Sequence, residues 1–233
     1  MNSGSTDSRD FGSTDDVAFG RSVAFVYLAC AILFGALLAL EWRWIDSSLR
    51  AVARERGAAL FALIENSRTW NARHGGVYVA VTDQVQPNPY LRHPARDLET
   101  IDGRRLTMIN PAYMTRQIAE IAAAGDGVRL HITSLNPIRP ENRPDPWEAE
   151  ALERFDRGEK EVLALILEGT EPVHRYMAPL YVTPPCLQCH AEQGYKLGDI
   201  RGGISVTMPA RALAQARDTQ RTRAALLHLV AFV

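Results

Sequence analysis

The sequence predicts an α+β domain, an antiparallel sheet flanked by helices, carried on an N-terminal membrane helix. Three observations support this. An uncharged run of nineteen residues, Ser22 to Leu40, lies near the N-terminus. Short alternating strands come singly between helical segments, and a long insertion with four prolines, Asn136 to Pro146, interrupts them. A doubly wound parallel fold would show regular strand–helix alternation instead.

The first 21 residues are rich in Ser, Gly, Asp and Thr, carry no apolar period and read as a disordered tail on the cytoplasmic side. Residues 22–41 read as the transmembrane helix. At about 1.5 Å per residue the uncharged run covers roughly the 30 Å of a bilayer core. Trp42 and Trp44 follow at once, where aromatic side chains sit at the headgroup level. A cleavable signal peptide is the rival reading. The long apolar stretch, the polar tail before it and the lack of a small-x-small site before Glu41 favour an uncleaved anchor.

Residues 42–73 read as a juxtamembrane helix, with Leu49, Ala53, Leu60 and Ile64 in an apolar stripe. Residues 74–208 form the expected sheet domain. Val77 to Thr82 alternates as a strand until Pro87, Asn88 and Pro89 break it. Asn110 followed by Pro111 is an N-cap with proline at the first helical position, opening a helix to about Ala124. After a turn at Gly125 to Gly127, Val128 to Leu135 reads as a strand, and Pro146, Trp147 and Glu148 start a helix to about Arg157. Further strands are expected near Val162 to Leu167, Val173 to Val182 and Gly203 to Met208. Residues 209–233 read as a C-terminal helix. Its apolar end, Ala224 to Val233, is too short to span a bilayer and reads either as a second membrane helix cut short or as a short helix packed on the domain.

The net charge of -1, from 26 basic and 27 acidic residues spread along the chain, offers no basic face for nucleic acid. Three cysteines are too few for a disulfide scaffold. Cys30 lies in the apolar run, whereas Cys186, Leu187, Gln188, Cys189 and His190 form the C-x-x-C-H pattern of c-type haem attachment. Two thiols at that spacing reach the two haem vinyl groups as thioethers, and the following histidine lies under the iron as the proximal ligand. Zinc is the better rival, but adjacent Cys and His make a poor tetrahedral pair, and no second Cys/His cluster stands nearby. A redox C-x-x-C would open a helix after a strand, whereas this one follows Pro184 and Pro185.

The four arginines after the apolar run, Arg43, Arg50, Arg54 and Arg56, outnumber Arg9 and Arg21 before it, so the positive-inside rule alone points the domain inward. Covalent haem attachment takes place outside the cytoplasm. It therefore places the domain on the periplasmic side of the inner membrane.

Between Trp70 and Ser205 the sequence also resembles the c-type-haem, PAS-like extracytoplasmic sensor domains of bacteria and cyanobacteria, often found ahead of histidine kinases. The resemblance lies in WNARHGGVYV (Trp70 to Val79), NPAYMTRQ (Asn110 to Gln117), Ser134 to Pro137, Pro144 to Glu148, Cys186 to His190 and GYKLGDIRGGIS (Gly194 to Ser205). It implies a PAS-like fold, one covalent haem c facing the helix before the sheet, and a role in sensing redox state or a diatomic gas. Some family members use a cysteine as second axial ligand; none occurs here between Cys30 and Cys186.

His74 is the first candidate for that second ligand, since it ends the long helix beside Gly75 and Gly76; the plainer reading is a polar helix cap. Met108, Met114, His131, His174 and Met177 are alternatives, each more often a core or strand residue. Arg201, inside the GDIRGG block, is the leading partner for a haem propionate, ahead of Arg116, Arg139 and Arg143. Tyr113 and Trp147 are candidates to line the pocket, while Gly194, Gly198, Gly202 and Gly203 serve turns.

Two functions from different classes fit. One is a membrane-anchored sensor input, expected as a homodimer, signalling to an output module or partner protein. The other is a membrane-tethered mono-haem cytochrome exchanging electrons with a redox partner. No arrangement of nucleophile, base and oxyanion donors recommends catalysis.

Overall fold

The computed structural model of the protein describes residues 13–125 and 127–232. In chain order its elements are α1 (Ser13–Arg73), β1 (Val77–Ala80), β2 (Asp97–Glu99), β3 (Arg105–Ile109), α2 (Pro111–Ala123), β4 (Arg129–Thr133), α3 (Pro146–Asp156), β5 (Val162–Glu168), β6 (Glu171–Tyr181), α4 (Leu187–His190), β7 (Ile200–Pro209) and α5 (Arg211–Phe232). Single 3-10 turns lie at Pro140–Asn142, Pro184–Cys186 and Ala191–Gln193. The chain divides into two units, one holding residues up to Leu49 with Gln215 onward, the other Arg50–Ala214.

In the first unit α1 and α5 pack with contacts that run in opposite chain directions. Arg221 pairs with Asp46, and its guanidinium lies 5.4 Å from the centre of the Trp42 ring. Farther along, the rings of His228 and Phe232 meet Phe34 edge-on at 6.2 and 5.6 Å. The C-terminal apolar stretch is thus the end of a 22-residue helix. Among the described residues one helix is long and apolar enough to cross a membrane, by length and composition, and its outward-facing residues include Phe25, Ile32 and Leu40.

One expectation is corrected here. Ser13 to Arg21, read as part of a disordered tail, is helical, and residues 1–12 lie outside the described residues. The missed signal is the run Ser13, Thr14, Asp15, Asp16, hydroxyl and acidic types that favour a helix start. Residues 22–41 and 42–73, read as two consecutive helices, belong to one: α1 runs through both and is 61 residues long, because nothing between Leu40 and Trp70 is Pro and the one Gly is tolerated.

The second unit is built on a four-stranded antiparallel sheet in the order β4-β7-β6-β5. Side chains alternate between its faces, as the strand period requires. On one face Tyr176, Ala178 and Leu180 of β6 and Ile204, Val206 and Met208 of β7 pack with Phe61 and Ile64 of α1. On the other, Met177 meets Ala151, Leu152 and Phe155 of α3. The stripe of α1 falls at Ala53, Gly57, Phe61 and Ile64, all buried, with Leu49 and Leu60 half-buried at its margin. Gly57 marks a close approach: a Cβ there would overlap the Tyr176 side chain.

The single sheet expected from sequence is instead two. β1, β3 and β2 form a separate three-stranded antiparallel sheet with β3 central, in the register Val77↔Ile109 and Leu98↔Leu106. β2 and β3 escaped sequence reading because β2 is three exposed residues and β3 only five. At the end of α1 the chain turns through Gly75 and Gly76, at φ 70 and 98°, and Gly76 N–H donates to Asn71 O at 3.0 Å. That left-handed stop is the usual business of glycine at a helix C-terminus.

Under α3 lies a buried polar cluster. Asp145 caps the helix and forms a capping box with Glu148. The Glu148 carboxylate, 1% exposed, accepts from Arg175 Nη2 at 3.1 Å, from the Asp145 N–H at 3.0 Å and from the Ser205 hydroxyl, and stands 2.9 Å from His131 Nδ1. Arg175 Nη1 also pairs with Asp145 at 2.7 Å, and the guanidinium lies 4.4 Å from the centre of the Trp147 ring. His131 Nε2 is 3.1 Å from Glu141 O. Its hydrogen bond to Glu148 raises His131 above the ordinary imidazole range, against the cost of burial.

Candidate functional site

The C-x-x-C-H loop leaves the sheet at the end of β6 and returns at the start of β7. Its neck is tied by Val182 N–H to Asp199 O at 2.9 Å and by Gly198 N–H to Val182 O at 3.0 Å. Inside the neck, Thr183 and two prolines lead into the Pro184–Cys186 turn, where the Cys186 N–H donates to Thr183 O at 2.9 Å and the thiol lies 3.2 Å from the Thr183 hydroxyl. Prolines at the start of such a turn cost no hydrogen bond, because those N–H groups have no partner within it. One turn of α4 then carries the chain to His190, so that Cys186 and His190 both line one cavity. The Cys189 side chain lies outside the described residues.

That cavity measures about 690 Å³ and is bounded by α1, the start of α2, β4, the Pro140–Asn142 turn and the cysteine loop. Its size falls within the few hundred to about 1,000 Å³ of small-molecule and cofactor sites. Six arginines line it, Arg68, Arg73, Arg92, Arg116, Arg139 and Arg201, against two acidic residues, Glu65 and Glu192.

His190 is held by its neighbours. Nδ1 lies 2.8 Å from Gln193 Oε1, and Arg201 donates from Nη2 to that oxygen at 3.2 Å and from Nη1 to the Ser134 hydroxyl at 2.6 Å. Gln193 in turn donates to Asn136 O at 3.2 Å. Arg201 Nε, a donor, lies 3.3 Å from the same Nδ1, so the two neighbours ask for opposite tautomers. The one that serves the shorter Gln193 contact carries its proton on Nδ1 and leaves Nε2 with its lone pair, as a metal requires. Burial lowers the His190 pKa, and the Arg201 and Arg68 charges add to this, outweighing the Gln193 bond. The imidazole is therefore neutral near neutral pH.

Arg201, singled out within its GDIRGG block as a propionate partner, lines the cavity beside His190, with its guanidinium 4.9 Å from the centre of the Tyr195 ring. Arg116, Arg139 and Tyr113 line the cavity; Arg143 and Trp147 are not among its lining residues. The structure does not bring His74 there. It is exposed, bonded through Nδ1 to Trp70 O at 2.7 Å and stacked on the Trp70 ring at 4.4 Å, which its place on the last turn of α1 dictates. None of Met108, Met114, His131, His174 and Met177 lines the cavity either: Met108 and Met177 are core, and His131 serves Glu148.

Sequence reasoning missed Arg68. It donates from Nη1 to Pro111 O at 3.1 Å and to the Thr115 hydroxyl at 3.0 Å. It lies deep in the fold yet keeps some accessible surface, because it faces the cavity. Burial brings its pKa down to about 10. The signal was present: Arg68 falls on the spacing of Phe61, Ile64 and Asn71, an arginine in the inward stripe of a helix.

A family model, Tll0287-like, matches residues 46–209. The chain belongs to the Tll0287-like family. The matched span takes in both sheets, the cysteine loop and the part of α1 that walls the cavity. Among solved structures, the crystal structure of the cyanobacterial haem protein Tll0287 is similar to this chain at 23% identity, covering 42% of this chain and 70% of that one with a TM-score of 0.35. No curated protein matches the chain.

Proposed function

We propose that this Tll0287-like chain carries one covalent haem c, attached through Cys186 and Cys189 and ligated by His190, in a PAS-like domain on the periplasmic side of the inner membrane. The observation that carries the proposal is that Cys186 and a neutral His190 face one cavity of cofactor size lined by six arginines. The donor set fits the group: thiols for the vinyl carbons, an imidazole with a free Nε2 for iron, and guanidiniums for two propionates. In attachment each thiol adds across a vinyl double bond, the sulfur bonding to one carbon and the proton going to the other, so no oxidant is consumed. Bound haem supplies a redox-active iron.

The chain's own residues hold that iron's setting. Gln193 and Arg201 fix the His190 ring, the Val182–Asp199 neck holds the loop on the sheet, and α1 walls the opposite side of the cavity. We take the domain as a sensor input for redox state or a diatomic gas, reporting to an output partner. The exposed edge at Thr183 and Pro184 favours a second reading, an electron-transfer cytochrome whose haem edge is open to a redox partner.

The test is a pyridine haemochrome spectrum of the full chain produced with a cytochrome c maturation system. A c-type α band that survives acid-acetone extraction and is lost in Cys186→Ala/Cys189→Ala supports the proposal. A chain purified without haem overturns it. Ready binding of CO by the ferrous protein favours the sensor; an inert iron that exchanges electrons rapidly with other cytochromes favours the second reading.

A further inference from the structure

We infer that the second axial position of the iron is filled by no strong-field side chain of this chain and receives a small exogenous anion, with Arg68 as its charge partner. The inference rests on the haem reading above and names the ligand class of the same site.

The first support is the chemistry of the cavity wall. Among the described residues His190 is the only histidine lining it, Cys186 the only cysteine, and neither methionine nor lysine contributes. Cys186 is committed to its thioether and His190 to the proximal side. The remaining groups with any affinity for ferric iron are tyrosines and carboxylates. Tyr113 is occupied, donating to Gln86 O at 2.8 Å with the Arg116 guanidinium 4.2 Å from its ring centre. Tyr90 is left as the one half-buried phenol in the wall without a hydrogen-bond partner among the described residues.

The second support is charge. Six guanidiniums face two carboxylates around the cavity, and two propionates still leave the wall cationic. Arg73 and Arg92 are exposed and suit propionates at the solvent edge. Arg68 is different, because it lies deep in the fold and only Nη1 is used. Its Nε and Nη2 have no partner among the described residues. A half-buried guanidinium that faces a cavity with two of its nitrogens unpaired, and with Glu65 as a carboxylate neighbour that makes no hydrogen bond to it, is a site for an anion. A neutral diatomic ligand gains nothing comparable from it.

The experiment uses the ferric full-length protein in detergent, after the haemochrome has verified covalent haem, with azide as the probe. The expected result is a high-spin iron that azide converts saturably, followed by absorption and electron paramagnetic resonance. Arg68→Gln weakens azide by about tenfold, the size of one lost charge-assisted hydrogen bond. Arg68→Lys retains most of the affinity, and CO binding by the ferrous forms changes by less than about twofold, which separates charge from collapse of the pocket. A low-spin iron indifferent to azide overturns the inference, since the chain then supplies its own ligand. A charge-transfer band abolished by Tyr90→Phe overturns it in favour of a phenolate. Azide affinity unchanged in Arg68→Gln removes Arg68 from the role. A chain without covalent haem overturns the preceding reading and this inference with it.

Discussion

On the α3 face of the sheet, Glu148, His131, Arg175, Asp145 and Ser205 close on one another; on the α1 face, Arg68, Arg201, His190 and Gln193 stand around open space. Both hold arginine and histidine, but of the residues named only the first set includes carboxylates. In the first cluster the Glu148 carboxylate meets four donor groups, and only Arg175 Nε is left buried without a partner. In the second, cations outnumber anions: Arg201 gives its donors to His190, Ser134 and Gln193, whereas Arg68, lining the cavity, leaves Nε and Nη2 unpaired among the described residues. Buried charge that is internally paired shapes the fold, whereas buried charge facing space is arranged for something that arrives.

The comparison predicts unequal responses to substitution. Glu148→Ala leaves Arg175 buried beside an empty acceptor site and should cost about 3–5 kcal/mol, read as a lowered midpoint in thermal denaturation. A loss below about 1 kcal/mol would mean that the closed cluster is ornamental. Gly202→Ala sits between the two regions, where β7 passes β4. A Cβ there would fall on the Thr133 carbonyl, so a loss of about 2 kcal/mol or more is expected, with a weakened β4–β7 pairing visible in amide exchange.

His131 sharpens the contrast through pH. Its two nitrogens face only acceptors, Glu148 and the Glu141 carbonyl, so the imidazolium alone satisfies both. Because the folded pKa is raised above 6.5, the stabilisation is fully present below the unfolded value and fades as pH rises through the folded one. The midpoint difference between the native chain and His131→Gln should therefore be largest in mild acid and shrink toward alkaline pH. A difference that grows with pH would reverse the assignment. Smallest of all, Arg92→Gln at the exposed edge of the cavity should shift stability by no more than about 0.5 kcal/mol before any ligand is bound.

The sequence disclosed what is local and strongly patterned. Asn110-Pro111 and Pro146-Trp147-Glu148 announce helix starts, and Cys186 to His190 stand out by their C-x-x-C-H spacing. Arg201 stands out in the sequence because of its glycine block, and it lines the cavity. What stayed hidden depends on partners distant in sequence. β2 has no apolar residue but Leu98 and exists by pairing with β3. His74 looked suitable because two glycines follow it, but the glycines end the helix and leave its ring on Trp70, outside the cavity. Arg68 lies in the inward stripe of α1, but its bonding depends on α2, which supplies Pro111 O and Thr115 as its acceptors.

Gly57 touches none of the cavity, and yet it governs how wide the cavity is. At this residue α1 lies against Tyr176 with no room for a methyl group. Arg68 and Thr69, which form part of the wall, follow on the same rigid rod about 16 Å farther on at the rise of an α-helix. Ile132 and Leu180, on the sheet that Tyr176 belongs to, form the facing wall. The spacing between the two walls is thus gauged at a point three turns away, like the hinge pin of a caliper. A chain with alanine at position 57 would hold its ligand between jaws set to a different gap, with every residue that touches the ligand unchanged.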